Sequence, residues 1–493
     1  MWVDEQIWGH RLWDSTTPWL ILLEFLGVAE AREREGKLLD DGGTYYPLRF
    51  RPAQRMHLRN LLYNNERLAR VAAEDMADGP SWDSWLQWMA EHAKGVSDRD
   101  FSYLRRRFRS FRDFSALVAL LRSTTLENGS NKRWSSRFVF PFGRHALYED
   151  LNLKGENPSR EYINFGLPGE LLYQMLCHSE AAPQLRDRLK PALDGDPCDR
   201  LLALLEPDAD RDRAERGNSY LPYARHRCFD DLGRDWLAIL DQGLPSIDAY
   251  PHLATLAAFH LMRYQLVTAA ELCGRGRPTL VCEVVSPRRT QVREQSIASF
   301  QTNDLLPSQA VNAYVGGIAR SAGWQRAIRG DGPYDDCRRV MVDVVRWPNG
   351  DDYQGPHEPG ALLDELRKAA QARHRQHVAN VHRSYGAGAG LVSRRGTTQL
   401  RYAPTDSFLR TLILANVGRR MDYAEFLTLL FERYGLVLGD REAALVLSEE
   451  EIDRKAFQNN SARLERRLRT LGMLRRLSDA CAYVENPVSR GLR

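Results

Sequence analysis

The sequence predicts a mainly α-helical, multi-domain protein with a small mixed α/β region. Apolar residues recur at three- and four-residue steps through most of the chain, which is the period of amphipathic helices. Strand-like runs are few. A content of 43% hydrophobic and 10% aromatic residues over 493 positions excludes a disordered or low-complexity chain. At roughly 100–200 residues per domain, this length predicts two to four domains.

Helical periodicity predicts most of the elements before position 390. The first long helix has Pro18 at its first position and Thr16 or Thr17 as its N-cap, because proline suits a helix start and threonine hydroxyls cap free amides. In chain order the predicted helices are 19–37, 53–78, 81–94, 98–107, 111–123, 169–177, 183–190, 232–240, 249–273, 307–322 and 360–385.

Strands are predicted in only three places. The best runs are 277–285 and 339–347, and residues 391–402 are predicted to form a hairpin. Linkers are predicted at the charge-dense stretch 206–217 and at 348–359, which is rich in Pro, Gly, Asp and Asn, with a hinge in the G-A-G-A-G run at 386–390. These breaks predict three domains, at 1–205, 218–385 and 405–493.

The C-terminal segment has a distinct pattern of three helices followed by a hairpin. Helices are predicted at 407–417, 422–434 and 455–471, and short strands at 473–477 and 481–485. This order resembles a winged-helix domain. About 20 residues separate the second and third helices, more than in a compact helix-turn-helix, and a small helix at 441–447 could fill that gap.

The third helix and the hairpin are predicted to bind nucleic acid. Residues 454–476 contain eight basic residues and one acidic residue, a local charge of +7. Amide side chains can reach base edges in a major groove, and arginines neutralise phosphates. The predicted contact residues are Gln458, Asn459, Asn460, Arg463, Arg466, Arg467, Arg475 and Arg476. Duplex DNA is therefore a candidate partner, while protein docking and a purely structural cap stay open as alternatives.

A secondary basic patch lies between residues 101 and 112. Its arginines are Arg105, Arg106, Arg107, Arg109 and Arg112, interleaved with Phe and Tyr, and the stretch 131–145 has a similar composition. Arginine between aromatic residues suits phosphate contact with base stacking. However, 62 of the 69 basic residues are arginine, which is typical of a GC-rich genome. The favoured interpretation is an amphipathic helix with its phenylalanines in the core.

The sequence contains no recognised catalytic motif. Phosphate-loop, dinucleotide-binding, serine-hydrolase and zinc-protease signatures are missing, so no cofactor is predicted and a non-enzyme is favoured. Glu283, at a strand end beside Arg288, Arg289 and Arg293, would suit a nuclease only with a second carboxylate and a lysine nearby. His374, His377 and His382 are predicted to belong to a solvated basic face, because their spacing does not suit metal ligation.

Cysteine usage and hydropathy predict a cytoplasmic protein. The seven cysteines are odd in number and lack C-x-x-C spacing, so neither disulfides nor a zinc site is predicted. The apolar run 19–28 is about half the length of a membrane span, and Asp4 and Glu5 stand where a secretory signal would be positive. No membrane association is expected.

Several segments resemble uncharacterised components of bacterial anti-phage islands of the methylation-associated defence type. They are the runs G-H-R-L-W at 9–13, T-P-W-L at 17–20, F-P-F-G at 140–143, H-A-L-Y-E-D at 145–150 and G-E-L-L-Y at 169–173. The resemblance implies a protein that works beside a methyltransferase, an ATPase or other subunits, and it implies no catalytic residues.

The predicted function is therefore a non-catalytic DNA-binding or scaffold subunit of a multi-protein anti-phage defence system. Two alternatives remain. One is a nuclease-type enzyme whose active site is assembled from distant residues. The other is a stand-alone winged-helix transcriptional regulator, which the roughly 400 residues before the C-terminal segment disfavour.

Overall fold

The fold is mainly helical, with 63% helix and 5% strand, which confirms the predicted fold class. The computed structural model describes residues 2–9, 12–40, 47–53, 55–74, 76–123, 151–152, 159–160, 167–194, 197–208, 215, 219–287, 289–349, 353–395, 398–478 and 481–490. None of the described helices is both long and apolar enough to span a bilayer. The six cysteines with described side chains are free thiols.

The N-terminal part consists of short and medium helices with one minimal hairpin. Its elements are α1 (Val3–Trp8), α2 (Pro18–Arg34), α3 (Met56–Tyr63), α4 (Glu66–Ala73), α5 (Asp78–His92), α6 (Tyr103–Arg107), α7 (Phe111–Ser123), β1 (Leu151–Asn152), β2 (Ser159–Arg160), α8 (Pro168–Cys177), α9 (Ala182–Asp194) and α10 (Pro197–Ala203). As predicted, α2 begins with Pro18, and the Thr17 side chain caps it by accepting a hydrogen bond from the Leu20 amide.

The central part contains the longest helices of the described chain. Its elements are α11 (Arg227–Leu240), α12 (Ser246–Leu272), β3 (Leu280–Val281), α13 (Gln291–Arg320), α14 (Ala322–Ala327), α15 (Pro333–Val345), α16 (Pro359–His377), α17 (Val381–Gly388), β4 (Val392–Ser393) and β5 (Arg401–Tyr402). The predicted hairpin exists, because β4 and β5 pair antiparallel. The predicted helix 360–385 is divided into α16 and α17.

The predicted strand at 339–347 is wrong, because these residues lie mostly in α15. The run R-V-M-V-D-V-V fits both a strand and a helix by composition. The structure buries Cys337, Met341 and Val345, which are four residues apart and therefore share one helical face. Pro333 at the first helical position fixes where this helix begins.

The C-terminal part combines helices with a small sheet. Its elements are α18 (Asp406–Asn416), β6 (Arg420–Asp422), α19 (Tyr423–Tyr434), β7 (Leu436–Val437), α20 (Asp440–Ala443), α21 (Arg454–Thr470), β8 (Leu474–Arg476), β9 (Ala482–Glu485) and a 3₁₀ turn (Val488–Arg490). Gly435 ends α19 with φ +77°, and a Cβ atom there would lie 2.6 Å from the Pro278 carbonyl oxygen. Only glycine suits that position.

The C-terminal elements pack against the central helices. The largest apolar core includes residues of α2, α8, α11, α12 and α13 together with residues of α18, α19 and α21. A second core lies among α3–α7, and a small third one joins Val281 and Val292 to Val437 and Phe457. Strands β3 and β7 pair in parallel, 156 positions apart at Leu280 and Leu436. The three predicted domain boundaries stay a prediction.

The predicted solvated histidine face is wrong for His374 and His382, which are 3% and 0% exposed. The ring of His374 stacks on Trp8. The ring nitrogens of His382 lie 3.2 Å from the Asp304 carboxylate and 2.8 Å from the Tyr402 hydroxyl. The segment of α16 and α17 is rich in arginine, and this composition predicts a solvated face. It does not indicate that the two histidines are buried.

Acid should destabilise the protein through His374. Burial lowers the pKa of this imidazole to about 4, against 6.5 for an ordinary histidine. The unfolded chain therefore binds more protons between these two values, so the free energy of unfolding falls as pH falls through that window. Between pH 7 and about pH 5, we expect the free energy of unfolding to fall by about 2 kcal/mol less in the variant His374→Phe than in the wild type. Urea unfolding of both proteins at the two pH values measures it, and identical pH dependence would contradict it.

Candidate nucleic-acid interface

The basic segment 454–476 comprises α21 and β8. These two elements belong to a unit of three helices, α18, α19 and α21, and a three-stranded sheet. The sheet has the order β6-β9-β8 with antiparallel neighbours, and Val484 of β9 lies opposite both Met421 and Leu474. Buried residues of α18, α19 and α21 contribute to the core beneath this sheet. The sequence did not predict β6, because three residues are too few to show an alternating pattern.

Helix α21 is held by one buried stripe that leaves its other face in solvent. The buried residues are Phe457, Asn460, Leu464 and Leu468, at spacings of three and four residues. The Asp453 side chain caps the helix by accepting a hydrogen bond from the Ala456 amide at 2.9 Å. The exposed residues are Arg454, Lys455, Gln458, Asn459, Ala462, Arg466, Arg469 and Thr470.

The exposed face of α21 contains four cations and no carboxylate. The acid of this helix, Glu465, is partly buried and accepts a hydrogen bond from Arg476 Nη1 at 3.0 Å. The side chains of Asn459, Arg466 and Arg475 are exposed and make no hydrogen bond or ion pair with another described residue. These three predicted contact residues are therefore available to a partner.

Asn460 is a correction to the predicted interface. It is fully buried, and its Nδ2 donates to the carbonyls of Cys282 and Leu438, both at 3.0 Å. Its Oδ1 accepts a hydrogen bond from the Val284 amide at 2.8 Å. The side chain therefore joins three backbone segments and cannot reach a base edge. Counting helical positions from Phe457 would have placed it on the buried stripe.

Three further predicted residues are engaged with other parts of the protein. Gln458 Nε2 donates to Asp440 at 3.0 Å, and Arg476 forms the pair with Glu465. Arg467 forms an ion pair with Asp406 and donates to the Pro404 carbonyl at 3.0 Å. Arg467 thus ties the last turn of α21 to the start of α18.

Arg463 is partly buried and lies beside a buried charged cluster centred on Glu283. Burial lowers the pKa of its guanidinium; Glu283 opposes this shift, and the neighbouring Arg466 and Arg293 add to it. Glu283 is itself fully buried. It accepts a hydrogen bond from Arg293 Nε at 2.9 Å and another from Arg401 Nε. Its carboxylate is committed to two guanidiniums, so the interpretation of Glu283 as a metal ligand is not supported.

No group of three or more His, Cys, Asp and Glu side chains among the described residues has an arrangement that could hold a metal ion. The nuclease-type alternative with an active site assembled from distant residues stays a hypothesis.

The secondary basic patch is built around a core. The rings of Phe101, Phe111 and Phe114 are buried together with Trp82 and Trp85, which leaves them no face for a base. This arrangement favours the amphipathic-helix interpretation over base stacking.

The arginines of the secondary patch divide into two groups. Arg105 pairs with Asp83 at 2.8 Å, and Arg107 pairs with Asp208 at 2.5 Å and donates to the Leu204 carbonyl at 3.2 Å. Arg106, Arg109 and Arg112 are exposed. The similar stretch 131–145 lies outside the described residues.

Comparison with known proteins places part of the chain near one family. No curated protein matches the sequence. Residues 361–485, which extend from α16 to β9, match the family model of methylation-associated defense system protein MAD7. The matched span includes α21, Asn460 and Arg401 but none of the five segments at 9–173 that resemble the defence-island proteins. The match supports the resemblance to defence islands, and the matched family implies a component of a methylation-associated defence system.

Proposed function

We propose that this protein is a non-catalytic, DNA-binding subunit of a multi-protein methylation-associated anti-phage defence system in the cytoplasm. Residues 405–490 act as a winged-helix module that holds duplex DNA. The element order α18–β6–α19–β7–α20–α21–β8–β9, with β8 and β9 as the wing, supports this proposal, and β7 and α20 occupy the interval between the second and third helices of the module. The observation that carries it is the exposed face of α21, where four cations stand without a carboxylate.

The module would contact DNA with separate groups for bases and for phosphates. Asn459, near the start of α21, presents an amide that can hydrogen-bond a base edge in the major groove. Arg466 and Arg469, about two and three turns further along, would contact phosphates of the groove wall. Arg475 on β8 would contact the backbone from the wing.

Removing three phosphate-contacting arginines should weaken DNA binding and its salt dependence. Each phosphate contact contributes a slope of about −0.9 to log K against log salt, because binding releases condensed counterions. The triple variant R466A/R469A/R475A should flatten this slope by roughly two to three units. Fluorescence anisotropy of a labelled 25-base-pair duplex, titrated at several NaCl concentrations, measures both quantities.

A matched control removes the same charge elsewhere. Arg320, Arg326 and Arg329 are exposed near the far end of α13, a 30-residue helix about 45 Å long. The first turn of this helix packs against α21, because Val292 and Phe457 share a small apolar core. The variant R320A/R326A/R329A should bind like wild type. Equal weakening in both triple variants would mean that only net charge matters. Unchanged affinity in R466A/R469A/R475A would contradict DNA binding by α21 and leave this face to protein docking.

A further inference from the structure

Two segments outside residues 405–490 carry exposed arginines. Arg394 and Arg395 follow β4 at the turn towards β5, and both are exposed. Arg289 lies just before α13, and its side chain is 79% exposed. Neither segment belongs to the three-helix unit, and the predicted interface did not include these residues.

Hydrogen bonds tie both segments to one carboxylate. Arg401 of β5 bonds Glu283 through Nε and donates from Nη2 to the Arg395 carbonyl at 2.6 Å. Arg293 bonds the same carboxylate and donates from Nη2 to the Ser286 carbonyl at 2.5 Å. One guanidinium group therefore connects the hairpin turn to the Glu283 carboxylate, and another connects the loop before α13 to the same carboxylate.

Helix α21 meets the same carboxylate from its own side. Asn460 hydrogen-bonds the backbone on both sides of Glu283, at the Cys282 carbonyl and the Val284 amide. Arg463, one turn further along α21, has its guanidinium close enough to interact electrostatically with Glu283. The middle of α21, the turn after β4 and the loop before α13 thus converge at one point.

The local charge at this point is positive. One buried carboxylate faces the two guanidiniums of Arg293 and Arg401, with Arg463 beside them. Buried charge is screened less by water than exposed charge, so the excess contributes to the potential at the surface above it. Arg289 pairs with Glu294 at 2.8 Å, and the Glu294 side chain is itself 44% exposed. A salt bridge this exposed is weak and can exchange for a phosphate.

We propose that Arg289, Arg394 and Arg395 form a second row of phosphate contacts on the duplex that α21 holds. The row lies outside the helix, so it contacts the phosphodiester backbone beside the recognised groove rather than the bases. Guanidinium groups bind phosphate oxygens through paired, charge-assisted hydrogen bonds. This inference rests on the proposed function and extends the DNA-binding surface beyond residues 405–490.

Removing the row should reduce the salt slope independently of α21. In the full chain, R289A/R394A/R395A should flatten log K against log NaCl by roughly two to three units on a 30-base-pair duplex. The same change should add to that of R466A/R469A/R475A when the two triple variants are combined. The charge-preserving variant R289K/R394K/R395K should keep most of the wild-type slope, which a merely structural role would not predict. All three side chains are exposed, so the variants should unfold at the wild-type temperature.

The outcomes separate this inference from the proposed function. If R289A/R394A/R395A binds like the control R320A/R326A/R329A while R466A/R469A/R475A is weakened, the row does not exist and the function of α21 stands. If the lysine variant loses as much slope as the alanine variant, charge is not the cause and the inference is overturned. If R466A/R469A/R475A keeps wild-type affinity, the proposed function fails, and with it a row that extends the contacts of α21.

Discussion

The change Glu283→Gln should lower the free energy of unfolding by about 3–5 kcal/mol, because it leaves buried guanidinium charge without a counter-charge. Arg401 has no exposed side-chain surface and Arg293 has 10%, so neither can turn to solvent for compensation. Glutamine has nearly the shape of glutamate, so packing changes little and the loss measures the charge. Chemical denaturation followed by tryptophan fluorescence at pH 7 gives the value.

Glu294→Gln is the matched control for this prediction. Glu294 also accepts from an arginine, but its partner Arg289 is 79% exposed, and exposed pairs contribute about 0–1 kcal/mol. We therefore expect a small change in the control and a large one at Glu283. Similar changes at the two positions would show that Glu283 is not the centre of a buried charge cluster.

A third variant keeps the test informative if Glu283→Gln does not fold. Replacing the whole cluster by E283M/R293M/R401M removes every buried charge together, and such replacements are often neutral or stabilising. This protein should be more stable than the Gln variant. If both are equally unstable, shape at this site matters more than charge.

The amphipathic elements could be predicted from sequence, and the long-range contacts could not. Helices α18, α19 and α21 show apolar residues at helical spacing, and their predicted bounds agree with the structure to within one residue at each end. Strands β3 and β7 have two residues each, and they pair across 156 positions, so no local pattern indicates their partnership. The strand prediction at 339–347 is wrong for a different reason. The composition of this run suits a strand, and only the spacing of its buried residues indicates a helix.

The candidate site shows the same division. The basic character of α21 is a local property, and the structure keeps Arg466 and Arg475 on the surface as expected. The role of Glu283 depends on Arg401, which is 118 positions away in the sequence. From local sequence alone, a strand-end acid beside arginines is compatible with a metal ligand. Only the fold shows that Arg401 is the second ion-pair partner of this carboxylate. Asp406, 61 positions from Arg467, similarly removes that arginine from the free cations of α21.

Asn460→Ala should destabilise the protein by about 3 kcal/mol, because three buried backbone groups lose their hydrogen-bond partner at about 1–3 kcal/mol each. The groups are the Val284 amide and the carbonyls of Cys282 and Leu438. They belong to the segments after β3 and β7, so the loss should loosen the attachment of α21 to that pair of strands. Thermal unfolding and urea titration measure the change.

The neighbouring Asn459 separates stability from recognition. Asn459 is exposed, and Asn459→Ala should change stability by less than about 0.5 kcal/mol, as surface substitutions usually do. For DNA sequence preference, we expect the larger effect from Asn459→Ala and the smaller one from Asn460→Ala. At a temperature where both variants are folded, Asn459→Ala should relax sequence preference among duplexes, and Asn460→Ala should keep the wild-type preference, because only the exposed amide can meet a base edge. A stable Asn460→Ala protein with relaxed preference would show that this amide turns outward to read DNA.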